Sequence, residues 1–452
     1  MRKTSFALAL LTAAVLTACG GNGSSAGDQT PKTKFSNQIT FGDSLADVGT
    51  YAVGGIAAMG GGQFTINGNN TSVSAELTGK NFTQVVAAQL GLPAPCAAQT
   101  GLQGTAAVGF SVPVTDHPEC FNYAQGGARV TNPIGPRNKA LAKPGEVTLG
   151  ALTVPVVTQI ANHLKKVGGK FKSDELVIVM AGGNDALQQL DELSIAATAA
   201  GGQALAQSLV TQLAPGTTNP QTGAMAIGAA IQTEAAKPTA TPQTIIGAAI
   251  TAAAQNGNTT APANAATIGA KAGADAQAAG LAYSAAHGAD VVKNMATAGA
   301  ELGALVKSQI VANGAGYVVV NNLPDVSISP SAKAQSADTQ KLIAAMVDAF
   351  NSQLKAAISG EPKVLYVDVA AVSRDQAVNP TPYGLTNTTT PACDLSDKTK
   401  NPLGSSLVCN KNNLIAGDVS HYMFADSVHP SPFEYALLAR YMLEQMTIKG
   451  WL

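Results

Sequence analysis

Residues 176–180, Leu-Val-Ile-Val-Met, are apolar at every position, and this run constrains the fold more than any other stretch of the chain. A strand with one wet face alternates apolar and polar residues. A strand covered on both faces, as in a parallel sheet, does not need to alternate. Shorter runs of similar character occupy Ile39–Phe41, Tyr317–Val320 and Val364–Val367, and another short strand is expected near Phe121–Tyr123. Helical patterns fall between them, over Asn81–Leu90, Val154–Val167, Gly288–Val311 and Asp338–Ile358. Strand and helix in alternation predict a doubly wound α/β domain, with ligands held beyond the carboxyl ends of the strands.

The charge balance narrows the function classes. The 452 residues carry a net charge of −1 with only 12% charged residues, so the basic surplus of a nucleic-acid binder is missing. The 46 glycines are unevenly spread. A stretch from about 189 to 280 is built from Ala, Gly, Thr, Gln and Pro, with no aromatic residue and a weak repeat, Ile-Gly-Ala-Ala-Ile at 227–231 and again at 246–250. Alanine favours helix while glycine and proline interrupt it. The expectation is a partly helical, partly disordered surface insertion; a lid or interaction arm is the functional alternative.

Residues 1–18 read as an export leader: Arg2 and Lys3, then an apolar run from Phe6 to Leu16 that is too short to span a bilayer. Leu16-Thr17-Ala18-Cys19 resembles a bacterial lipobox, which makes Cys19 the expected lipidation site and the membrane a partner through that anchor. With Gly20 rather than an acidic residue next, the expected destination is the outer membrane. Residues 19–37 read as a tether rich in Gly, Ser and Thr. Four further cysteines permit three pairings. The sequence-local pairs Cys96–Cys120 and Cys393–Cys409 are the candidate disulfides; tight metal-ligand spacing is missing, and free thiols remain open.

At 38–51, QITFGDSLADVGTY, a core-like strand breaks into Gly42-Asp43-Ser44-Leu45. An ordinary turn or helix cap explains this; so does a serine nucleophile at a strand end. A nucleophile needs a base, a group that orients the base, and donors for an oxyanion. Gly23-Ser24-Ser25-Ala26-Gly27 has the G-x-S-x-G pattern but lies in the tether, away from any strand-to-helix turn. Of the five histidines, His163 and His287 fall in helical patterns, His117 is beside Cys120, and His421 shares the C-terminal segment with His429. His429 follows Asp426 by three residues and precedes Pro430 and Pro432, which suit the start of a helix over Phe433–Met446. Gly126-Gly127 and Gly182-Gly183-Asn184 each follow an expected strand and can supply oxyanion donors.

Together these segments resemble the SGNH (GDSL) hydrolase family, in its esterase/lipase-like branch. FGDSLADVG, NYAQGGA, GGND and DSVHP occur in the family's order, and similarity runs from about Ile39 to Leu443, interrupted by the Ala-rich stretch. NLPDVSISP at 322–330 and NPTPYGLTNTTTPAC at 379–393 are secondary likenesses. The resemblance implies a flavodoxin-like three-layer α/β/α domain over 38–452, with a mostly parallel sheet of about five strands. It implies Ser44 as nucleophile, His429 and Asp426 as base and orienter, and an oxyanion hole from the Ser44 amide, the Gly127 amide (Gly126 being the other choice) and Asn184. No cofactor or metal is implied. The expected activity is hydrolysis of lipid or simple acyl esters through an acyl-enzyme. Transfer to an alcohol acceptor, polysaccharide deacetylation and a non-catalytic surface lipoprotein are the alternatives.

Overall fold

The computed structural model describes residues 33–452. The expected leader at 1–18, the G-x-S-x-G decoy, Cys19 and the tether as far as residue 32 lie outside these residues. The tether is expected to reach residue 37, but the chain is docked before that. Phe35 is buried edge-on against Tyr317, ring centroids 5.2 Å apart, and the Ser36 amide donates to Asp174 O. An aromatic side chain gains too much by burial to stay in a free tether.

In chain order the elements are β1 (Gln38–Gly42), α1 (Gly54–Ala58), α2 (Phe82–Gln89), β2 (Gln99–Gln103), β3 (Ser111–Asp116), α3 (Val156–Lys166), β4 (Leu176–Met180) and α4 (Gly183–Leu213). There follow α5 (Pro220–Ala235), α6 (Pro242–Gln255), α7 (Ala265–Leu305), β5 (Tyr317–Asn321), α8 (Pro330–Lys333), α9 (Ala337–Ile358), β6 (Val364–Val367), α10 (Val369–Val378) and α11 (Pro432–Ile448). The chain divides into two compact units, Leu187–Asn294 and the remainder.

In the larger unit the apolar runs form one parallel sheet in the order β1-β4-β5-β6. Strand β4 is buried at all five positions, which is why it does not alternate. Ile178 and Met180 pack with Phe82 and Val86 of α2 and with Leu438, Met442 and Met446 of α11. On the other face Phe41 stacks on Tyr123 and meets His163 of α3 edge-on, and Phe350 of α9 lies against Gly182. The result is a three-layer α/β/α arrangement.

The sheet has four strands where about five are expected. The segment near Phe121–Tyr123 takes the outer place beside β1, but only as a bridge: Thr40 N–H donates to Phe121 O and Tyr123 N–H to Thr40 O. The Asn122 side chain bonds Ala46 O and the Ala124 amide, a local turn that competes with a longer ladder. Sequence reading misses the β2–β3 antiparallel hairpin, because β3 is exposed at nearly every position and Pro113 interrupts its short run of alternating apolar residues.

The smaller unit is helical rather than partly disordered. Pro220 and Pro242 do not break helices; each stands in the first turn, after the N-caps Asn219 and Thr241. The Ile-Gly-Ala-Ala-Ile repeat supplies a matching apolar stripe to α5 and α6. Ile227, Ile231 and Ile250 are buried together with Leu205, Leu209 and Leu213 of α4. Small residues let backbones approach closely: a Cβ on Gly201 would lie 2.9 Å from Ala276 O.

Candidate active site

The end of β1 is held tightly. Gln159 of α3 accepts from the Gly42 amide and donates to its carbonyl, both at 2.8 Å. A Cβ on Gly42 would stand 2.2 Å from Met180 O, so only glycine lets β1 and β4 approach here. Gly42 thus serves close approach and not a left-handed turn; its φ is not positive. Beyond it, Asp43 Oδ1 accepts from the Leu45 amide and Asp43 O from the Ala46 amide, which fixes the turn that presents Ser44. Asp43 also accepts from the Gly183 amide at the start of α4. Burial pushes its carboxyl up to about 7, against the opposing pull of the Leu45 hydrogen bond and the His429 charge.

His429 arrives from 385 positions along the chain, and its Nε2 is 2.9 Å from Ser44 Oγ. Its Nδ1 is 2.9 and 2.8 Å from the two Asp426 oxygens. Asp426 is buried and accepts further bonds from the amides of Ser406, Val428 and His429. Burial alone would raise this carboxyl. The His429 charge, with hydrogen bonds from His429 and Ser406, outweighs burial and holds it well below the carboxylate range. An acceptor at Nδ1 fixes the tautomer that leaves the Nε2 lone pair facing Ser44, the arrangement a general base requires. The Phe64 ring lies 4.8 Å from the imidazole and covers it.

Neighbouring hydrogen bonds gather the oxyanion candidates. Asp43, beside Ser44, is bonded to Gly183, beside Asn184; Asn184 Nδ2 donates to Ala128 O, beside Gly127. One Asn184 amide hydrogen is thus engaged and sets the rotamer, leaving the second. Asp185 ties the same two loops, accepting from Arg129 Nε at 2.9 Å and from the Val130 amide at 3.0 Å. The amides of Ser44 and Gly127 have no acceptor among the described residues. The Gly126 amide, by contrast, is taken by Asp47 Oδ2 at 2.9 Å. Gly127 has φ +84°, and a Cβ there would lie 2.5 Å from Thr153 Cγ2, so no other residue suits it.

The remaining histidines have other surroundings. His163 is buried against Phe41, Tyr123 and Phe171, and burial pushes it down to about 4. His117 bonds Thr100, His287 bonds Asp290, and His421 stacks on Phe433 and bonds Gly384 O. Both disulfides are formed, Cys96–Cys120 and Cys393–Cys409, with Cα separations of 5.0 and 6.0 Å. The second has a bearing on the site. The Cys393 amide donates to Ala425 O, and Cys409 ends the strap whose Ser406 amide holds Asp426. Asn67 clasps the same strap, its Nδ2 donating to the carbonyls of Ser406 and Cys409. Sequence reading misses Gln159, Asp47, Ser406 and Asn67, which act through backbone groups distant in sequence. Asp185 sits inside the GGND block and carries a readable signal. Among the described residues no cluster of three His, Cys, Asp or Glu side chains can hold a metal, and no helix is long and apolar enough to cross a membrane.

Three GDSL esterase/lipases of Arabidopsis thaliana are similar to parts of this chain. One is 34% identical over 84 residues, 19% of this chain and 22% of the relative. The others are 31% identical over 100 residues and 27% over 103, each match covering 22% of this chain and 26% and 27% of the relative. The chain thus spans only about a quarter of the length of the relatives it matches. No family model matches it. In class the fold is α/β with a parallel sheet. The partial matches support the GDSL family, and within it a hydrolase of the GDSL type.

Proposed function

We propose that the protein is a serine-dependent carboxylic-ester hydrolase acting on lipid or simple acyl esters through an acyl-enzyme. The single observation that carries this reading is the relay from Asp426 through His429 to Ser44, with Nε2 at 2.9 Å from the hydroxyl. Ser44 Oγ attacks the ester carbonyl as His429 takes its proton. The negative charge on the carbonyl oxygen is met by the Ser44 and Gly127 amides and the second Asn184 hydrogen. His429 then returns the proton to the departing alkoxide and Ser44 holds the acyl group. Water, deprotonated by His429, attacks that ester and releases the acid with Ser44 restored. Ser44→Ala should abolish p-nitrophenyl ester turnover while leaving the melting transition in place, and a fluorophosphonate should add mass to the wild type alone. Full turnover by the folded variant refutes the assignment.

Export with a lipid on Cys19, ending at the outer membrane, completes the reading. Two disulfides suit an oxidising compartment. Labelled palmitate should enter the wild type and not Cys19→Ser; absence of label from both removes the anchor.

A further inference from the structure

Glu434 stands three residues after Ser431, the N-cap of α11. A glutamate in that place ordinarily turns back onto the N-cap amide. Here the Ser431 amide donates to Met423 O instead, and the carboxyl is buried, with 8% exposure. Gln376 gives it one hydrogen bond; Oε2 has no partner. Glu434 lines a cavity of about 60 Å³ whose other walls include Leu45, Met180, Ile328, Met423, Phe424 and Val428. Leu45 follows Ser44, and Val428 and Pro430 flank His429, so the cavity lies one residue away along the chain from each member of the reacting pair, although neither Ser44 nor His429 lines it.

The other polar side chains of the wall are already engaged. Asp325 pairs with Arg374 and Ser327. The hydroxyls of Ser329, Ser373 and Tyr435 are bonded to backbone groups. Glu434 Oε2 is therefore the one side-chain atom of this wall, among the described residues, recorded as buried and unpartnered. Leaving such a group unpaired is costly, and a ligand that pairs it recovers the difference. Burial pushes the carboxyl up to about 8, so at neutral pH it carries a proton and can donate. Room of this size suits roughly four to six chain atoms.

We propose that this cavity is the acyl-chain subsite of the hydrolase, and that Glu434 selects short chains bearing a neutral oxygen acceptor, such as a keto oxygen, near their end. The proposal rests on the ester-hydrolase reading above. A plain alkyl chain fills the apolar walls but leaves Oε2 unpaired. A chain ending in an ammonium needs the ionised carboxyl that the apolar walls disfavour.

The test is kcat/KM for p-nitrophenyl hexanoate, 4-oxohexanoate, 5-oxohexanoate and 6-aminohexanoate, each corrected for uncatalysed hydrolysis. Wild type should prefer at least one oxo ester to hexanoate by about tenfold or more, chiefly through KM. Glu434→Gln, whose amide still donates, should keep part of that preference, and Glu434→Leu should bring the ratio to one or below. A wild-type ratio near one, a preference for the amino ester, or an unchanged ratio in folded Glu434→Leu overturns the subsite. If Glu434→Leu does not fold, the wild-type and Glu434→Gln ratios decide. Hexanoate turnover with no oxo preference sinks this inference alone; no turnover of any ester sinks the hydrolase reading and this proposal with it.

Discussion

Replacing Asp426 by Asn tests the proposed base most directly, because every group facing the carboxylate is a donor. Oδ2 receives the Ser406 amide and His429 Nδ1; Oδ1 receives the amides of Val428 and His429 and also lies within reach of Nδ1. An asparagine must aim its NH2 at one of these sets. Aimed toward the old Oδ1 place, it leaves two backbone donors unpaired. Aimed toward the old Oδ2 place, it leaves only Ser406, a loss of about 1–3 kcal/mol in stability, so this orientation wins. In it the NH2 also faces Nδ1, which must then accept rather than donate. The imidazole proton moves to Nε2, and the ring facing Ser44 can no longer take a proton. The expected fall in kcat is about 10⁴, or roughly 5.5 kcal/mol of barrier, by analogy with the same change in serine-protease triads. The assay is p-nitrophenyl ester turnover at saturating substrate, with a urea melt of the same preparation. A folded variant within tenfold of wild type refutes the relay.

Asn184→Ala should lower kcat by about 10²–10³ with little change in KM, as for other oxyanion donors; an unchanged kcat removes Asn184 from the hole. Opening the Cys393–Cys409 bridge, which spans a sequence separation of 16, by a double change to Ser should cost about 3 kcal/mol in a urea melt and lower kcat by loosening the Ser406 strap. The same change at Cys96 and Cys120 should spare kcat, and equal losses in the two variants count against the strap. Asp43 titrates higher in the folded than in the unfolded chain, about 7 against 3.8, so its contribution to stability is present below about pH 4 and is lost as pH rises through about 7. Asp43→Asn should flatten the stability loss between pH 5 and pH 8 in urea melts; an undiminished loss places the titration elsewhere.

Legibility in the sequence followed burial. Strands β1, β4, β5 and β6 were readable because each is covered by helices, so their residues could be apolar at successive positions. The exposed strand β3 has no such signature. Pro220 and Pro242 look like interruptions in a linear reading and act as helix starts because a capping residue precedes each. Glu434 was hidden by its position, where a glutamate is the ordinary companion of a serine N-cap.

Local pattern alone carries the layered α/β class, the strand ends at which Ser44, Gly127 and Asn184 stand, and the short loop that pairs Asp426 with His429. These depend on local pattern and on spacings of a few residues. The fold, by contrast, engages the Gly126 amide with the carboxylate of Asp47 on a different loop, which no local pattern announces. It alone brought His429 to Ser44 across 385 positions, and left Glu434 facing a cavity instead of its own helix end. The physical reason is the same in each case: a hydrogen-bonding group takes whichever partner the packed fold places nearest, and that partner is set by elements far away along the chain.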